Sequence, residues 1–241
     1  MTQHREIHLP SSISHPPSPI LLAGPTAVGK SAVGLLLAEK LGGEIISVDS
    51  MQVYRGLDIG TAKPALAERQ RVPHHLIDIL DLTESFDAAQ FARRAHAAVA
   101  EIQSRGHVPI LCGGTGLYFK AFLEGLGEAP PANAEVRAEL EKTPMPELLR
   151  ELAERDPLAF DKIDRQNPRR VIRALEVIRV SGKPFSAQRA SWSAPDGSVS
   201  ASPVAGIMGL TRTSADLHAR IETRVDEMFQ GGLVAETERL L

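Results

Sequence analysis

The hydrophobic positions near the start of the chain form two short apolar runs separated by an amphipathic stretch. Ile20–Ala23 is an apolar run that ends at a Gly-Pro pair, and residues 31–41 follow with apolar side chains at helical spacing. A Gly-Gly pair ends this stretch, and Glu44–Val48 is again short and mostly apolar. The pattern predicts a strand, a loop, a helix and a second strand, which together form a βαβ unit.

The same alternation continues along the next part of the chain. His75–Ile79 predicts a third strand, and Val108–Cys112 predicts a fourth. Between them Ser85 or Asp87 is placed to cap a helix whose apolar face runs to Gly106. Strands that alternate with helices indicate an α/β fold with a parallel sheet, whose ligand sites lie at the carboxyl ends of the strands.

The pattern changes after Leu126, where prolines punctuate helical segments and no strand-like run occurs until Val204–Leu210. Thr213 or Ser214 then caps a last helix, whose apolar positions we expect to face inward. Those positions are Leu217, Ile221, Val225 and Met228. We therefore predict a disordered leader over residues 1–18, the first part of the core over 19–126, a helical insertion over 127–199 and a return to the core over 200–241.

Composition limits the kind of protein this is. The longest apolar stretch is interrupted by glycine, proline and lysine, and it falls short of the about 20 residues that a membrane helix needs. The N-terminus lacks the apolar segment of a secretory signal. The single cysteine, Cys112, excludes an intramolecular disulfide. We therefore expect a cytoplasmic protein with no membrane partner. Its net charge of -3 disfavours nucleic acid as a partner unless the basic residues are clustered.

The loop after the first predicted strand matches the phosphate-binding pattern G-x-x-x-x-G-K-[ST], between a strand and a helix as that motif requires. Glycines let backbone N–H groups turn toward phosphate oxygens, and the helix N-terminus and Lys30 add positive charge. Ser31 can place its hydroxyl on Mg²⁺. The residues predicted to bind phosphate are Gly24, Pro25, Thr26, Ala27, Val28, Gly29, Lys30 and Ser31.

The P-loop does not identify the phosphate compound. The D-x-x-G and N-K-x-D motifs of GTPases are absent from the sequence, and the fourth strand ends in Gly113-Gly114-Thr115 instead of the acidic residue of a motor-type ATPase. Two alternatives stay open at this point. One is a small P-loop kinase that acts on a metabolite or nucleotide, and the other is an ATP-binding or nucleotide-sensing module without catalysis.

Five motifs in order narrow the choice. The P-loop is followed by Ile46–Ser50, by Gly60–Pro64, by Gly113–Tyr118 and by a segment over residues 164–184 that includes Asn167-Pro168-Arg169-Arg170. The set resembles the tRNA dimethylallyltransferases, from about Ile20 to the C-terminus. Family members continue for several tens of residues past the position of Leu241. The resemblance therefore implies a chain that lacks the family's C-terminal portion.

The resemblance implies a fold, a reaction and a set of catalytic residues. The fold would be a P-loop NTPase-like parallel sheet with flanking helices and a helical insertion domain. The enzyme would transfer a dimethylallyl group from dimethylallyl diphosphate to N6 of the adenine beside the anticodon of tRNA, with Mg²⁺ accompanying the diphosphate. Asp49 would be the general base, although its position alone also suits a Mg²⁺ partner or a helix cap. Lys30 and Thr115 complete the predicted catalytic set.

Other predictions concern the diphosphate. Arg220 and Arg224 lie one helical turn apart and are placed to reach it, although a solvated helix face explains them as well. Thr26 and Lys63 carry weaker expectations of the same kind.

The remaining predictions concern tRNA. The target adenine must leave its stack to reach the isoprenoid, and residues 49–52 would line its pocket. Basic residues from Arg165 to Arg189 form a cluster suited to a nucleic-acid backbone, although a solvated helix face with Glu176 paired locally stays an alternative. We expect a monomer. The predicted tRNA-binding residues are Asp49, Ser50, Met51, Gln52, Thr115, Arg137, Gln166, Asn167, Pro168, Arg169 and Arg170, with Arg137 carried over from the family alone.

Overall fold

The structure is a computed structural model that describes residues 16–127, 129–188 and 206–241. It divides into two compact units, a first unit within Met1–Leu123 and Ser200–Leu241 and a second unit within Glu124–Val199. Most of the predicted leader lies outside the described residues. Among the residues that are described, no helix is both long and apolar enough to cross a bilayer.

Five strands and eleven helices make up the described part of the chain. In chain order they are β1 (Ile20–Ala23), α1 (Lys30–Leu41), β2 (Gly43–Val48), α2 (Leu66–Arg71), β3 (His74–His75), α3 (Ala88–Ser104), β4 (Val108–Gly113), α4 (Gly116–Glu124), α5 (Ala134–Lys142), α6 (Met145–Arg155), α7 (Pro157–Lys162), α8 (Pro168–Ser181), α9 (Phe185–Gln188), β5 (Gly206–Gly209), α10 (Ser214–Gln230) and α11 (Leu233–Glu238).

The first unit is built on one parallel sheet with strand order β3-β2-β4-β1-β5. β2 is buried along its whole length, and β1 and β4 are largely buried, as expected for strands covered on both faces. Because all strands are parallel, their carboxyl ends meet at one edge of the sheet. The predicted α/β class, with a parallel sheet and flanking helices, is confirmed.

The third strand is much shorter than the sequence predicts. Only His74 and His75 pair with β2, whereas the prediction ran to Ile79. Leu76 and Asp78 have positive φ values of 61° and 55°, which end the extended conformation. The backbone N–H groups of residues 78–80 donate to the carbonyls of Gln52 and Val53. Apolar composition therefore located a strand here but did not give its length or the backbone path that follows it.

The last long helix also departs from the prediction. Of the four α10 positions that we expected to face inward, Ile221 and Val225 are 37% and 42% exposed, and Leu217 and Met228 are only partly buried. None of the residues of α10 is fully buried among the described residues. α10 follows β5, which lies at the edge of the sheet and itself exposes Ile207. Helical periodicity therefore identified an apolar face on α10 that the described residues cover only in part.

The second unit contains α5 to α9 around a separate core. α8 begins at Pro168, with Asn167 at the N-cap position, and is followed by the C-cap residue Gly182 in the left-handed conformation. Its buried face packs against α5 and α6. The fully or nearly fully buried side chains of this core are Leu140, Leu148, Leu152, Ala159, Val171, Ala174, Leu175 and Ile178.

A buried carboxylate lies beside this core. Glu176 of α8 has a fully buried side chain, and it accepts hydrogen bonds from the Asn133 backbone N–H (2.7 Å) and from the guanidinium groups of Arg137 and Arg173 (2.8 Å each). Burial acts to raise its pKa, but these donors outweigh burial and the pKa is lowered. The local pairing of Glu176, which sequence analysis left as an alternative, is therefore present.

Candidate active site

The P-loop connects β1 to α1 at the carboxyl edge of the sheet. Ala27 and Gly29 have positive φ values of 61° and 106°, and Gly29 is the N-cap residue of α1. Positive φ values alternating with right-handed residues turn successive N–H groups toward one side and so form an anion-binding concavity. The helix dipole of α1 adds partial positive charge at the same place. The local backbone therefore has the form that a diphosphate requires.

Lys30 adds a whole positive charge to the partial charge at the N-terminus of α1. Its Nζ donates a hydrogen bond to the carbonyl oxygen of Pro25 at 2.7 Å, so the ammonium group folds back over the loop. Burial lowers the pKa of Lys30, and the nearby Arg224 acts in the same direction, while Cys112 and Asp49 act to raise it. Ser31 follows in the first turn of α1.

Asp49 lies just past the end of β2, two strands from β1 in the sheet. Its Oδ1 accepts hydrogen bonds from the backbone N–H groups of Met51 (2.8 Å) and Gln52 (3.3 Å), which fixes a tight turn. Its Oδ2 accepts no hydrogen bond from any described residue. No helix begins at Asp49, so the helix cap that was weighed as an alternative is not what the structure shows. The turn uses Oδ1 alone, and the predicted catalytic role would use Oδ2.

These groups share one cavity of about 130 Å³. The P-loop contributes Thr26, Lys30 and Ser31 to its wall, and Asp49 and Gln52 line it from the end of β2. The stretch Asp58–Pro64 is called the 58–64 segment below. The remaining lining residues come from this segment, from α1, α2 and α10, and from β2, β3, β4 and the residues that follow these strands. They are Leu35, Ile45, Ser47, Thr61, Ala62, Pro64, Glu68, His74, Ile77, Cys112, Gly113, Gly114 and Arg224.

Two glycines at the end of β4 line this cavity and leave no room for a side chain at the first of them. A Cβ on Gly113 would collide with the Val48 carbonyl of the neighbouring strand, so a side chain there would force β2 and β4 apart. Gly114 lies near Lys30 Nζ, which is 3.8 Å from the place of an added Cβ. Thr115 follows, and its backbone N–H donates to the Val48 carbonyl at 3.4 Å. Thr115 is not among the residues that line the cavity, and its catalytic role stays a prediction.

Two arginines of the α10 region hold the P-loop backbone. Arg220 Nε donates to the Ala27 carbonyl at 2.7 Å, and Arg212 Nε donates to the Val28 carbonyl at 2.9 Å. Arg224, one turn after Arg220, lines the cavity instead. Sequence analysis named Arg220 and Arg224 but missed Arg212. The strand-end rule would have found Arg212, because it follows β5, the strand beside β1.

The 58–64 segment is held by buried polar contacts. The side chain of Lys63 is 1% exposed, and its Nζ donates to the carboxylates of Asp58 and Asp78 and to the Tyr54 carbonyl. Its ammonium group is therefore used to hold the segment together. Gln52 reaches the same segment, because its Nε2 donates to the Thr61 and Ala62 carbonyls at 3.2 and 3.4 Å.

The predicted tRNA-binding residues of the second unit fall into two groups. Arg169, Arg170 and Gln166 are exposed near the start of α8, where a nucleic-acid backbone can reach them. Arg137 and Arg173 are instead bound to Glu176, and Arg173 also donates to the Pro130 carbonyl at 2.6 Å. Arg189, at the end of the predicted basic cluster, lies outside the described residues.

The residues that could hold Mg²⁺ are oxygen donors. Ser31 and Asp49 line the same cavity, and Mg²⁺ is usually held by one or two protein oxygens together with phosphate oxygens. Within the described ranges, no group of three or more His, Cys, Asp or Glu side chains could hold a metal ion. The donor set therefore fits an ion held mainly by a bound diphosphate.

Comparison with known proteins agrees with this site. Residues 52–241 match the family described as IPP transferase. The chain is 49% identical over 228 residues to a tRNA dimethylallyltransferase of Halorhodospira halophila, covering 92% of this chain and 73% of that protein. The chain belongs to the IPP transferase family. The resemblance seen in the sequence is confirmed.

Solved structures of this family extend the comparison to the fold. A full-length tRNA isopentenylpyrophosphate transferase from Bacillus halodurans is 42% identical, with a TM-score of 0.59 over 92% of this chain and 69% of that chain. A eukaryotic dimethylallyltransferase acting on tRNA is 29% identical, with a TM-score of 0.75 over 93% of this chain and 56% of that chain. The P-loop NTPase-like class of the first unit is thereby confirmed. None of these relatives is named as a kinase or a nucleotide sensor.

Proposed function

We propose that this protein transfers a dimethylallyl group from dimethylallyl diphosphate to N6 of the adenine beside the anticodon in tRNA. The observation that carries the proposal is the single cavity lined both by the P-loop residues Lys30 and Ser31 and by Asp49. Membership of the IPP transferase family supports the reaction type.

In the proposed reaction the diphosphate is the leaving group and the adenine amine is the nucleophile. The bond between N6 and C1 of the dimethylallyl group forms as the bond between C1 and the diphosphate oxygen breaks. Negative charge then develops on the diphosphate, where the P-loop N–H groups and Lys30 are placed to stabilise it. Mg²⁺, when held by Ser31 and the diphosphate, would neutralise part of the same charge.

Asp49 is proposed to receive the proton that N6 loses. A general base needs a free acceptor atom facing the site, and Asp49 Oδ2 is free of the hydrogen bonds that hold Oδ1. The adenine would have to leave the anticodon stack to meet the isoprenoid in this cavity. Residues 49–52 follow β2 at this edge, which supports their proposed contact with the extruded base.

Exposed basic residues of the second unit are proposed to bind the tRNA backbone. Arg169 and Arg170 are exposed on the first turn of α8, and Arg165 packs over the Phe160 ring at 4.8 Å. Phosphate contacts of this kind position a nucleic acid without reading its sequence. A cytoplasmic location and a monomeric state remain predictions.

A labelled-substrate assay tests the proposal. The protein is incubated with radioactive dimethylallyl diphosphate, Mg²⁺ and unmodified bacterial tRNA, and a parallel reaction contains ATP without tRNA. We expect label on tRNA and no consumption of ATP. Consumption of ATP with no label on tRNA would favour the kinase alternative and refute the proposed function.

A further inference from the structure

The carboxylate of Glu236 on α11 binds three consecutive backbone N–H groups that lie far away in sequence. Oε2 accepts from Asp58 at 3.0 Å and from Ile59 at 2.8 Å, and Oε1 accepts from Gly60 at 3.0 Å. Glu236 itself is only 3% exposed. An ionised carboxyl is costly to bury unless it is fully hydrogen-bonded, so these three N–H donors are what allows the carboxylate to be buried here.

α11 and the residues after it pack closely against the same stretch of backbone. A Cβ added to Gly60 would lie 3.2 Å from Leu233 Cδ1, and one added to Gly56 would lie 3.3 Å from Leu240 Cδ2. A side chain at either position would require the facing leucine to shift by a few tenths of an ångström, and Gly56 has in addition a φ of 81°, which favours glycine. The backbone around residues 56–60 is therefore held by α11 on both sides of the Glu236 carboxylate.

The hydrogen bonds continue from this stretch into the cavity. Gln52 Nε2 donates to the carbonyls of Thr61 and Ala62, and Gln52 Oε1 accepts from the Ser47 hydroxyl at 2.8 Å. The backbone N–H of Gln52 donates in turn to Asp49 Oδ1. A continuous set of contacts thus runs from Glu236 through the 58–64 segment and Gln52 to the turn that carries Asp49.

We propose that Glu236 is a positioning residue for the transfer reaction. By holding the N–H groups of residues 58–60, it fixes the wall of the cavity formed by Thr61, Ala62 and Pro64 and, through Gln52, the orientation of Asp49. The inference rests on the proposed function, because it concerns the rate of that reaction. It assigns Glu236 no contact with either substrate.

The charge of Glu236 suits this role. Burial acts to raise its pKa, but the N–H donors of residues 58–60 outweigh burial and the pKa is lowered, so the group is ionised at neutral pH. Glutamine at this position retains a carbonyl oxygen for part of the donor set but brings an NH₂ group against the remaining N–H. Alanine leaves all three donors without the carboxylate.

The test compares Glu236→Gln and Glu236→Ala with a matched control, Glu238→Gln. Glu238 lies two residues further along the same helix and is exposed. For each variant we would measure kcat for label transfer at saturating substrates, the Kd for inorganic diphosphate and the amide hydrogen exchange of residues 58–60. A displacement of about 1 Å at a catalytic group lowers a rate by about a hundredfold.

The expected result separates positioning from overall folding. Glu236→Ala should lower kcat by about ten- to a hundredfold and speed amide exchange at residues 58–60, with little change in diphosphate affinity, because the P-loop backbone is held by other residues. Glu236→Gln should show a smaller loss of kcat, and Glu238→Gln should match the wild type.

Two results would overturn the inference. One is a wild-type kcat in both Glu236 variants, and the other is a parallel loss of diphosphate binding and kcat in both, which would mean a purely structural role. If the proposed function itself is wrong, the result is different: the wild-type protein and Glu238→Gln would also leave tRNA unlabelled. The inference about Glu236 would then be refuted together with the proposed function.

Discussion

At the scale of single residues, the two oxygens of the Asp49 carboxylate have different surroundings. Oδ1 accepts two backbone N–H groups, and Oδ2 receives none from the described residues. A substitution that preserves Oδ1 can therefore separate the structural role of this residue from its chemical role. Asparagine does so, because its amide oxygen can accept the same two hydrogen bonds while its nitrogen cannot accept a proton.

We expect Asp49→Asn to lower the single-turnover rate of prenyl transfer by about 10²–10⁴-fold, the usual contribution of a general base. The tRNA affinity should change little, because the turn at residues 49–52 is retained. Rapid-quench measurement of label transfer, together with tRNA binding by filter retention, checks both parts. A near-normal rate in Asp49→Asn would remove Asp49 as the base, and a parallel loss of tRNA binding would indicate a binding role instead.

At the scale of secondary-structure elements, the contacts of α8 distinguish arginines that are free to bind tRNA from arginines that hold the helix. Arg169 and Arg170 are exposed, and the ion-pair partner of Arg170 among the described residues is Asp164, at 3.8 Å. Arg173 pairs with the fully buried Glu176 and the Pro130 carbonyl. Both Arg169 and Arg173 belong to the basic cluster seen in the sequence, but the pairing with buried Glu176 gives Arg173 a structural function.

Replacing Arg169 and Arg170 by alanine should weaken tRNA binding and flatten its salt dependence. Each phosphate contact that is lost reduces the slope of log K against log salt concentration by about 0.7–0.9. Arg173→Ala should mainly lower the free energy of unfolding, because it removes a partner of a buried carboxylate. Binding titrations at several salt concentrations and urea unfolding give the two readouts. An unchanged salt slope in the double variant would exclude this turn of α8 from the interface.

The N-terminal ends of the strands carry a second ionic arrangement, at the edge away from the cavity. Glu44 at the start of β2 is buried, and it accepts from Arg105 at the end of α3 and from His75 and His107. Burial acts to raise its pKa, but the hydrogen bonds from these three groups outweigh burial and lower the pKa to about 2. Glu44 thereby connects β2, β3, α3 and the residue before β4.

This arrangement predicts how stability depends on pH. A carboxyl whose pKa is lowered in the folded state stabilises the fold above its unfolded pKa, and that contribution is lost as pH falls. Glu44→Gln should lower the free energy of unfolding by about 3 kcal/mol at pH 7, as expected when one partner of a buried ion pair is removed. The difference from wild type should shrink as pH falls from 4.5 toward about 2.

Urea unfolding across this pH range measures the effect, with Glu101→Gln as the control. Glu101 also pairs with Arg105 but is 64% exposed, so its removal should cost at most about 1 kcal/mol. A gap between Glu44→Gln and wild type that stays constant down to about pH 2 would contradict the ionic explanation.

At the scale of the whole molecule, the sequence predicted what depends on local pattern. The P-loop, the alternation of the first strands with α1 and α3, and Asp49 at the end of β2 follow from periodicity, capping residues and one motif, whereas the short helix α2 was not predicted. The backbone path after β3 could not be predicted in this way, because it is held by hydrogen bonds from the N–H groups of residues 78–80 to the carbonyls of Gln52 and Val53.

Contacts between residues far apart in sequence could not be predicted from local sequence patterns for the same reason. Glu236 and the 58–60 backbone are separated by more than 170 residues, and Arg212 and Val28 by 184. Neither pair belongs to a short motif, and each forms only once the sheet brings its strand ends together. The α10 prediction was wrong because periodicity identifies an apolar face without identifying what covers it.

The most direct measurement of the central claim is nucleoside analysis of tRNA after the reaction. The wild-type protein, dimethylallyl diphosphate and Mg²⁺ are incubated with two tRNAs, one with adenine beside the anticodon and one with guanine at that position, and the digested nucleosides are identified by mass spectrometry. We predict N6-dimethylallyladenosine from the first tRNA alone, with inorganic diphosphate released in equal amount. Diphosphate release without the modified adenosine, or equal modification of both tRNAs, would contradict the proposed reaction.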